Sequence, residues 1–151
     1  MQFTQQVDVA RPVQEVWKFL WDIPQMAACV PGCTEAEATE DPQRFRAVVA
    51  ERVGPFQVRF ELEIRVTEVE EGRRIRATAQ GKDSRVASQM KVDLEVRLSP
   101  QGEGTRLDVV TDVNVFGKLG ALGHTVIKRK GDEILQRFAQ ALKARMEAVA
   151  A

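Results

Sequence analysis

The sequence predicts an α+β fold in which a curved antiparallel sheet of about seven strands wraps around one long C-terminal helix. The first observation is strict alternation of apolar and polar residues in three segments, Val58 to Val66, Met90 to Leu98 and Leu107 to Val115. Alternation of this kind is typical of strands with one buried face. The second observation is the helical spacing of apolar residues from about Lys118 to Val149, which predicts a long amphipathic helix.

Two short helices are expected near the N-terminus. After Arg11-Pro12 the apolar residues have helical spacing, and proline is favoured in the first turn of a helix. Asp22 can cap a second short helix from Pro24 to Ala28, because its side chain can accept a hydrogen bond from a backbone N–H of the first turn.

Four weaker strands complete the predicted sheet. They are expected at Gln2 to Val9, Thr34 to Glu40, Phe45 to Val53 and Arg73 to Lys82. Short connections that contain Gly or Pro separate the strands, which predicts hairpins and therefore antiparallel pairing. The C-terminal helix is the only element able to cover the apolar face of this sheet, an arrangement known as a helix-grip.

Length and composition indicate a single domain, which we expect to be a ligand-binding domain over residues 1–151. A chain of 151 residues buries enough surface to fold without a disulfide or a metal. Its 22 Lys and Arg balance 22 Asp and Glu, whereas proteins that bind nucleic acids usually carry a basic excess. The single His disfavours a histidine-based zinc site or catalytic triad. We therefore expect no nucleic acid, no metal and no cofactor.

The expected location is cytoplasmic, since no apolar run approaches the roughly 18 residues of a membrane span and no signal-peptide pattern begins the chain. Lys128, Arg129 and Lys130 form a local basic run on the long helix. This run is either a solvated face offset by neighbouring acids or a docking site for an acidic partner or anionic lipid headgroups. The second interpretation adds peripheral contact with the inner face of the membrane.

The predicted interior contains many small residues. Inward positions of the strand from Arg73 include Ala77, Ala79 and Gly81, and the long helix carries Gly120, Gly123 and Gly131. Small residues on both sides of an interface either allow close packing or leave a cavity. We favour a cavity, because a strongly curved sheet cannot lie flush on a straight helix, and such a pocket suits a small hydrophobic ligand. Its predicted lining is Phe56, Phe60, Leu62, Ala77, Ala79, Met90, Leu119, Ile127 and Phe138.

Candidates for catalysis inside the fold are few. In the three strongest strands every charged side chain faces outward, so acid or base catalysis in the interior has little support. Glu51 is the exception, because its register is inward. It is either a functional carboxylate in an apolar cavity or a solvated residue at the cavity mouth. His124 is either a surface residue or a ligand contact at the same mouth.

Four motifs carry a family resemblance: Pro12-Val13-Gln14-Glu15-Val16-Trp17, Cys29-Val30-Pro31-Gly32-Cys33, Val53-Gly54-Pro55 and Gly117-Lys118-Leu119-Gly120-Ala121-Leu122-Gly123. Together they resemble the family of the carbon monoxide dehydrogenase G subunit, which belongs to the SRPBCC superfamily of START-like helix-grip domains. The resemblance implies an apolar cavity for a hydrophobic molecule such as a lipid or quinone. It also implies an accessory role, in maturation or membrane recruitment, beside a molybdenum-containing hydroxylase of the carbon monoxide dehydrogenase type.

Three functions follow from these observations. The favoured one is a non-catalytic binder of a hydrophobic small molecule. The second is an enzyme like the polyketide cyclases and aromatases of the same superfamily, which would depend on Glu51 and His124. The third is a protein-interaction module that uses the basic run of the long helix.

Overall fold

The computed structural model describes residues 1–148 and confirms the predicted fold class. Seven antiparallel strands form one curved sheet in the order β1-β7-β6-β5-β4-β3-β2. The strands are β1 (Gln2–Val9), β2 (Cys33–Ala38), β3 (Arg44–Val53), β4 (Phe56–Glu70), β5 (Arg74–Asp83), β6 (Ser88–Gln101) and β7 (Gly104–Gly117). The helices are α1 (Val13–Leu20), α2 (Ile23–Cys29) and α3 (His124–Ala148), and a 3₁₀ turn spans Gly120–Leu122.

The connections between strands explain why the sheet is a meander. From β2 to β7 each strand pairs with the next one along the chain, and β1 then pairs with β7. Gly72 and Gly102 have φ values of +75° and +60° in the turns after β4 and β6. Only glycine adopts this left-handed conformation without steric cost, so these residues allow the chain to reverse within a few positions.

The two short helices lie where they were expected. The side chain of Asp22 accepts a hydrogen bond of 3.3 Å from the backbone N–H of Gln25, which confirms the predicted cap of α2. Val16 of α1 is fully buried and joins this helix to the core of the protein.

The long helix begins later than predicted. We expected it from about Lys118, but α3 begins at His124, and the expected end at Val149 lies outside the described residues. Gly123 has a φ of +93°, which ends the 3₁₀ turn and redirects the chain before α3. Gly120 and Gly123 therefore belong to a connection and not to the apolar stripe of the helix.

The core consists of two separate clusters of buried apolar residues. Cluster 1 joins the later turns of α3 to α1, α2 and one end of the sheet, and contains Val7, Val9, Val16, Cys29, Leu98, Leu107, Ala139, Leu142 and Met146. Cluster 2 lies at the start of α3 and contains Val53, Val58, Phe60, Leu119 and Ile127. The helix is thus held to the sheet near both of its ends.

Several small residues permit close packing. A side chain on Gly131 would overlap the ring of Phe3, which is buried against α3. A side chain on Gly81 would overlap the carbonyl oxygen of Glu61, and one on Gly120 would lie 2.6 Å from that of Val115. The close-packing alternative therefore applies at these three glycines, and they are not evidence of a cavity.

Candidate functional site

Between the two clusters part of the concave face of the sheet is apolar but only half-buried, whereas Val66 and Ala77 beside it are buried. The residues concerned are Phe45, Ile64, Ala79, Val92 and Leu94, and none belongs to either cluster. Phe45, Ile64, Ala79 and Val92 lie directly opposite one another across β3, β4, β5 and β6. The centre of a sheet that wraps a helix should be its most buried part if the two surfaces are in contact. Its partial exposure indicates that α3 does not lie flush on the sheet here.

The predicted lining residues do not form one contiguous group in the structure. Phe60, Leu119 and Ile127 are buried in cluster 2, and Phe56, Leu62 and Met90 pack against it. Phe138 packs against cluster 1. Ala77 and Ala79 lie on β5, where the first is buried and the second is half-buried. The lining as a whole stays a prediction, with most of its members gathered at the start of α3.

A separate depression of about 800 Å³ lies on β2, β3 and β4. Glutamates at four of its positions make it largely polar, and its residues are Thr34, Glu35, Ala36, Glu37, Arg46, Ala47, Val48, Glu61, Leu62 and Glu63. No residue of α3 lines it, so it is not the space between the sheet and the helix. Among the predicted lining residues it contains only Leu62.

Glu51 has the predicted inward register but is not alone. Its Oε1 lies 2.7 Å from Nζ of Lys130 and 3.6 Å from Nη1 of Arg137, both on α3. Burial disfavours the ammonium charge of Lys130, but hydrogen bonds to Glu51 and Glu133 outweigh it and raise the pKa of Lys130. These ion pairs join β3 to α3 along one side of the concave space.

His124 does not form a catalytic pair with Glu51. It is exposed at the first position of α3, and the two side chains make no hydrogen bond.

The predicted basic run is not a single surface. Successive residues of a helix point about 100° apart. Nζ of Lys128 lies 4.3 Å from the centre of the Phe3 ring and donates to the carbonyl oxygen of Gln2, while Lys130 is paired with Glu51. Within residues 1–148 only Arg129 of the three is exposed and without an ion pair.

Asp83 is a buried carboxylate that the sequence did not reveal as an inward residue. It ends β5 opposite Ser88 and is 4% exposed. Its oxygens accept backbone hydrogen bonds from Arg59 at 2.7 Å and Arg85 at 3.0 Å. The bond from Arg59, and then that from Arg85, lower the pKa of Asp83 against the opposing effect of burial. The inward alternation of Ala77, Ala79 and Gly81 continues to Asp83 and could have indicated it.

We expect Asp83→Asn to reduce the free energy of unfolding at neutral pH by about 2 kcal/mol, because an amide cannot accept both hydrogen bonds as strongly. The lowered pKa means that this contribution is complete above the ordinary pKa of an aspartate and is lost as the pH falls through the folded value. Urea unfolding at a series of pH values should show the difference from wild type shrinking toward acid. Asp93→Asn, at an exposed position, is the control. A difference that does not change with pH would contradict this role.

The Cys-Val-Pro-Gly-Cys motif forms a tight turn that packs on β3. Gly32 has a φ of +78°, and its carbonyl oxygen accepts a 2.8 Å hydrogen bond from the N–H of Ala50. Burial raises the pKa values of the thiols of Cys29 and Cys33, which disfavours the thiolate form that metals and nucleophilic chemistry require. The conformation of Gly32 and the hydrogen bond from Ala50 hold the turn against β3.

The family is decided by a match that covers almost the whole chain. A family model described as the G subunit of carbon monoxide dehydrogenase, CoxG, matches residues 6–147. The chain belongs to this family. The four motifs that carry the resemblance all lie within the matched residues. No curated protein matches the chain.

Solved structures with the same fold are distant in sequence from this CoxG family member. A conserved protein of Geobacillus kaustophilus is 18% identical with a TM-score of 0.86, and the match covers 97% of this chain and 95% of that one. A START superfamily protein of Mycobacterium smegmatis is 20% identical with a TM-score of 0.76, covering 98% of each chain. A protein of Thermus thermophilus is 15% identical with a TM-score of 0.77, covering 100% of both. These likenesses establish the START-like fold.

The structure contains no helix, among residues 1–148, that is long and apolar enough to cross a membrane. The same residues contain no group of three or more His, Cys, Asp or Glu side chains placed to hold a metal ion.

Proposed function

We propose that this protein is a non-catalytic binder of a hydrophobic small molecule, a lipid or a quinone, held between the concave face of the sheet and α3. The observation that supports this most is the half-buried apolar surface at Ile64, Ala79 and Val92, between two well-packed clusters. Apolar surface in the centre of a fold is normally covered, and a bound apolar molecule would cover it here. Glu51, the carboxylate predicted to face inward, is paired with Lys130 and Arg137, which supports binding over catalysis.

The family supports a further proposal about the biological setting. The name of the family, the G subunit of carbon monoxide dehydrogenase, supports association with an enzyme of that type. We propose an accessory role beside such a molybdenum-containing hydroxylase, in its maturation or recruitment. The proposed location is the cytoplasm, with peripheral contact at the inner face of the membrane. Co-purification of tagged protein with the other polypeptides of such a hydroxylase, from cells that produce both, is the test of this partner.

The ligand is tested by purifying the protein without detergent. Native mass spectrometry should find an added mass at one molecule per chain, and organic extraction of the same sample should release an apolar compound that mass spectrometry can identify. Protein unfolded in urea and refolded should lack the added mass and regain it on addition of a short-chain ubiquinone or a fatty acid. Protein that never carries or regains such a mass would overturn the proposal.

A further inference from the structure

Polar side chains that face inward from β3, β5, β6 and β7 are few, and all but one of them have partners. The hydroxyl of Thr105 donates to a backbone carbonyl oxygen at 2.7 Å. The hydroxyl of Ser88 donates to one backbone group and accepts an N–H at 2.9 Å from another. The carboxylate of Glu51 is paired with Lys130, and that of Asp83 accepts backbone N–H donors. The concave face thus supplies a hydrogen-bond or ion-pair partner for each of these groups.

Thr111 of β7 is the exception. It lies opposite Leu94 of β6 and Phe3 of β1, which both belong to the concave face. Its side chain is half-buried, and within residues 1–148 its hydroxyl makes no hydrogen bond, yet it is not sealed from solvent. Gln5 faces inward from the edge strand β1, also without a hydrogen bond, but its neighbours on that face, Phe3 and Val7, are buried. Thr111 is therefore the unpartnered polar group that adjoins the half-buried surface.

The surroundings of Thr111 on the concave face are apolar. One row of directly opposite residues, across β4 to β7 and β1, consists of Val66, Ala77, Leu94, Thr111 and Phe3. The next row, across β3 to β7, consists of Phe45, Ile64, Ala79, Val92 and Val113. Glu51 lies six residues beyond Phe45 along β3, so its ion pairs with α3 are made outside these rows. Thr111 therefore carries the only polar side chain of the two rows.

We propose that the hydroxyl of Thr111 donates a hydrogen bond to a carbonyl oxygen of the bound molecule and so fixes the orientation of that molecule in the site. Apolar pockets orient their ligands through a few polar groups, and Thr111 is the one that this surface offers. An uncharged carbonyl loses little when it exchanges water for this donor, whereas a carboxylate would lose its hydration with no cation in either row. The inference rests on the proposed function for the apolar body of the ligand. It adds the chemical class, a neutral molecule with a carbonyl oxygen, which a quinone ring and an ester lipid share.

Thr111→Val tests this assignment, because valine keeps the branched shape of threonine and removes only the hydroxyl. The probes are duroquinone, a benzoquinone with four ring methyl groups, and durene, the benzene with the same methyl groups and no carbonyl. Methyl laurate is added as the ester, and equilibrium dialysis measures the affinity of each compound. Loss of one neutral hydrogen bond should weaken binding of a carbonyl compound about fivefold and leave that of durene unchanged. The compound whose affinity falls shows whether a ring carbonyl or an ester carbonyl is the acceptor.

Matched variants separate this role from an effect on folding. Thr111→Val should unfold at an unchanged urea concentration, because its hydroxyl has no partner in the protein to lose. Thr111→Ser retains the hydroxyl and should retain the preference for the carbonyl compounds, and Thr4→Val makes the same change on the opposite, exposed face of β1 and should bind as wild type does. Equal weakening of duroquinone and durene by Thr111→Val, or no weakening of either carbonyl compound, would overturn the assignment and leave the proposed function standing. If no probe binds wild type, the proposed function fails and this assignment fails with it.

Discussion

Gly32→Ala is expected to lower the free energy of unfolding by about 4 kcal/mol. Two effects add, because the φ of +78° is strained for any residue with a side chain and because the new methyl group would overlap the carbonyl oxygen of Ala50. The carbonyl oxygen of Ala50 cannot move away easily. Ala50 belongs to β3, and its N–H donates to the carbonyl oxygen of Gly32 itself. Urea unfolding followed by circular dichroism measures the loss.

Gly72→Ala is the matched control for that variant. Its φ of +75° is almost the same, but a side chain there would meet nothing within 4 Å. The control therefore isolates the strain of the left-handed conformation, and we expect it to cost only about 1 kcal/mol. Equal losses in the two variants would mean that the contact with β3 contributes nothing.

Glu51 also lies against the turn at Gly32, since a side chain on Gly32 would come within 2.8 Å of its Oε2. Gly32 therefore permits a close approach of the turn to β3. This close approach is a physical reason for a glycine at this position of the turn.

The fold was predictable because three strands alternate strictly and short turn sequences mark the ends of the other four. β1 was expected with the bounds that the structure has, and the other strands differ by a few residues at their ends. The start of α3 was not predictable in the same way. Leu119 and Leu122 fit the apolar spacing of a helix, but they are placed by a 3₁₀ turn and by Gly123 in a conformation that no helix contains. Periodicity alone cannot distinguish these cases.

The site was harder to predict from the sequence. It depends on which small residues pack against neighbouring atoms and which leave an open cavity, and residue size alone does not decide this. By size alone Gly81 and Gly131 favour a cavity. In the structure the backbone of Glu61 packs against Gly81, and the ring of Phe3 packs against Gly131. Pairing of Glu51 with Lys130 joins residues 79 positions apart in the chain, and no local pattern contains such a contact. The position of Glu51 in the strand pattern predicted that its side chain faces inward. Its ion-pair partners, Lys130 and Arg137, are known only from the three-dimensional structure.

Ala79→Trp is expected to abolish binding of the apolar ligand while leaving the fold intact. On the concave face of the sheet Ala79 lies between Ile64 of β4 and Val92 of β6. If the space beneath α3 is open, an indole can occupy it and displace the ligand. The free energy of unfolding of the unliganded protein should then change by less than about 1 kcal/mol. Titration with a fluorescent fatty acid and with a short-chain ubiquinone measures the binding.

The stability of this variant is as informative as its binding. In a filled interior the added volume would cost about 1–3 kcal/mol or more, because the neighbouring side chains would be forced from their preferred rotamers. Gln80→Trp introduces the same indole one residue along β5 on the opposite, exposed face, and should leave binding and stability near wild type. Strong destabilisation by Ala79→Trp alone would indicate that the concave face is packed. Unchanged binding in a stable Ala79→Trp protein would instead mean that the ligand binds elsewhere. Stability therefore tests whether the space beneath α3 is open, and binding tests whether the ligand occupies it.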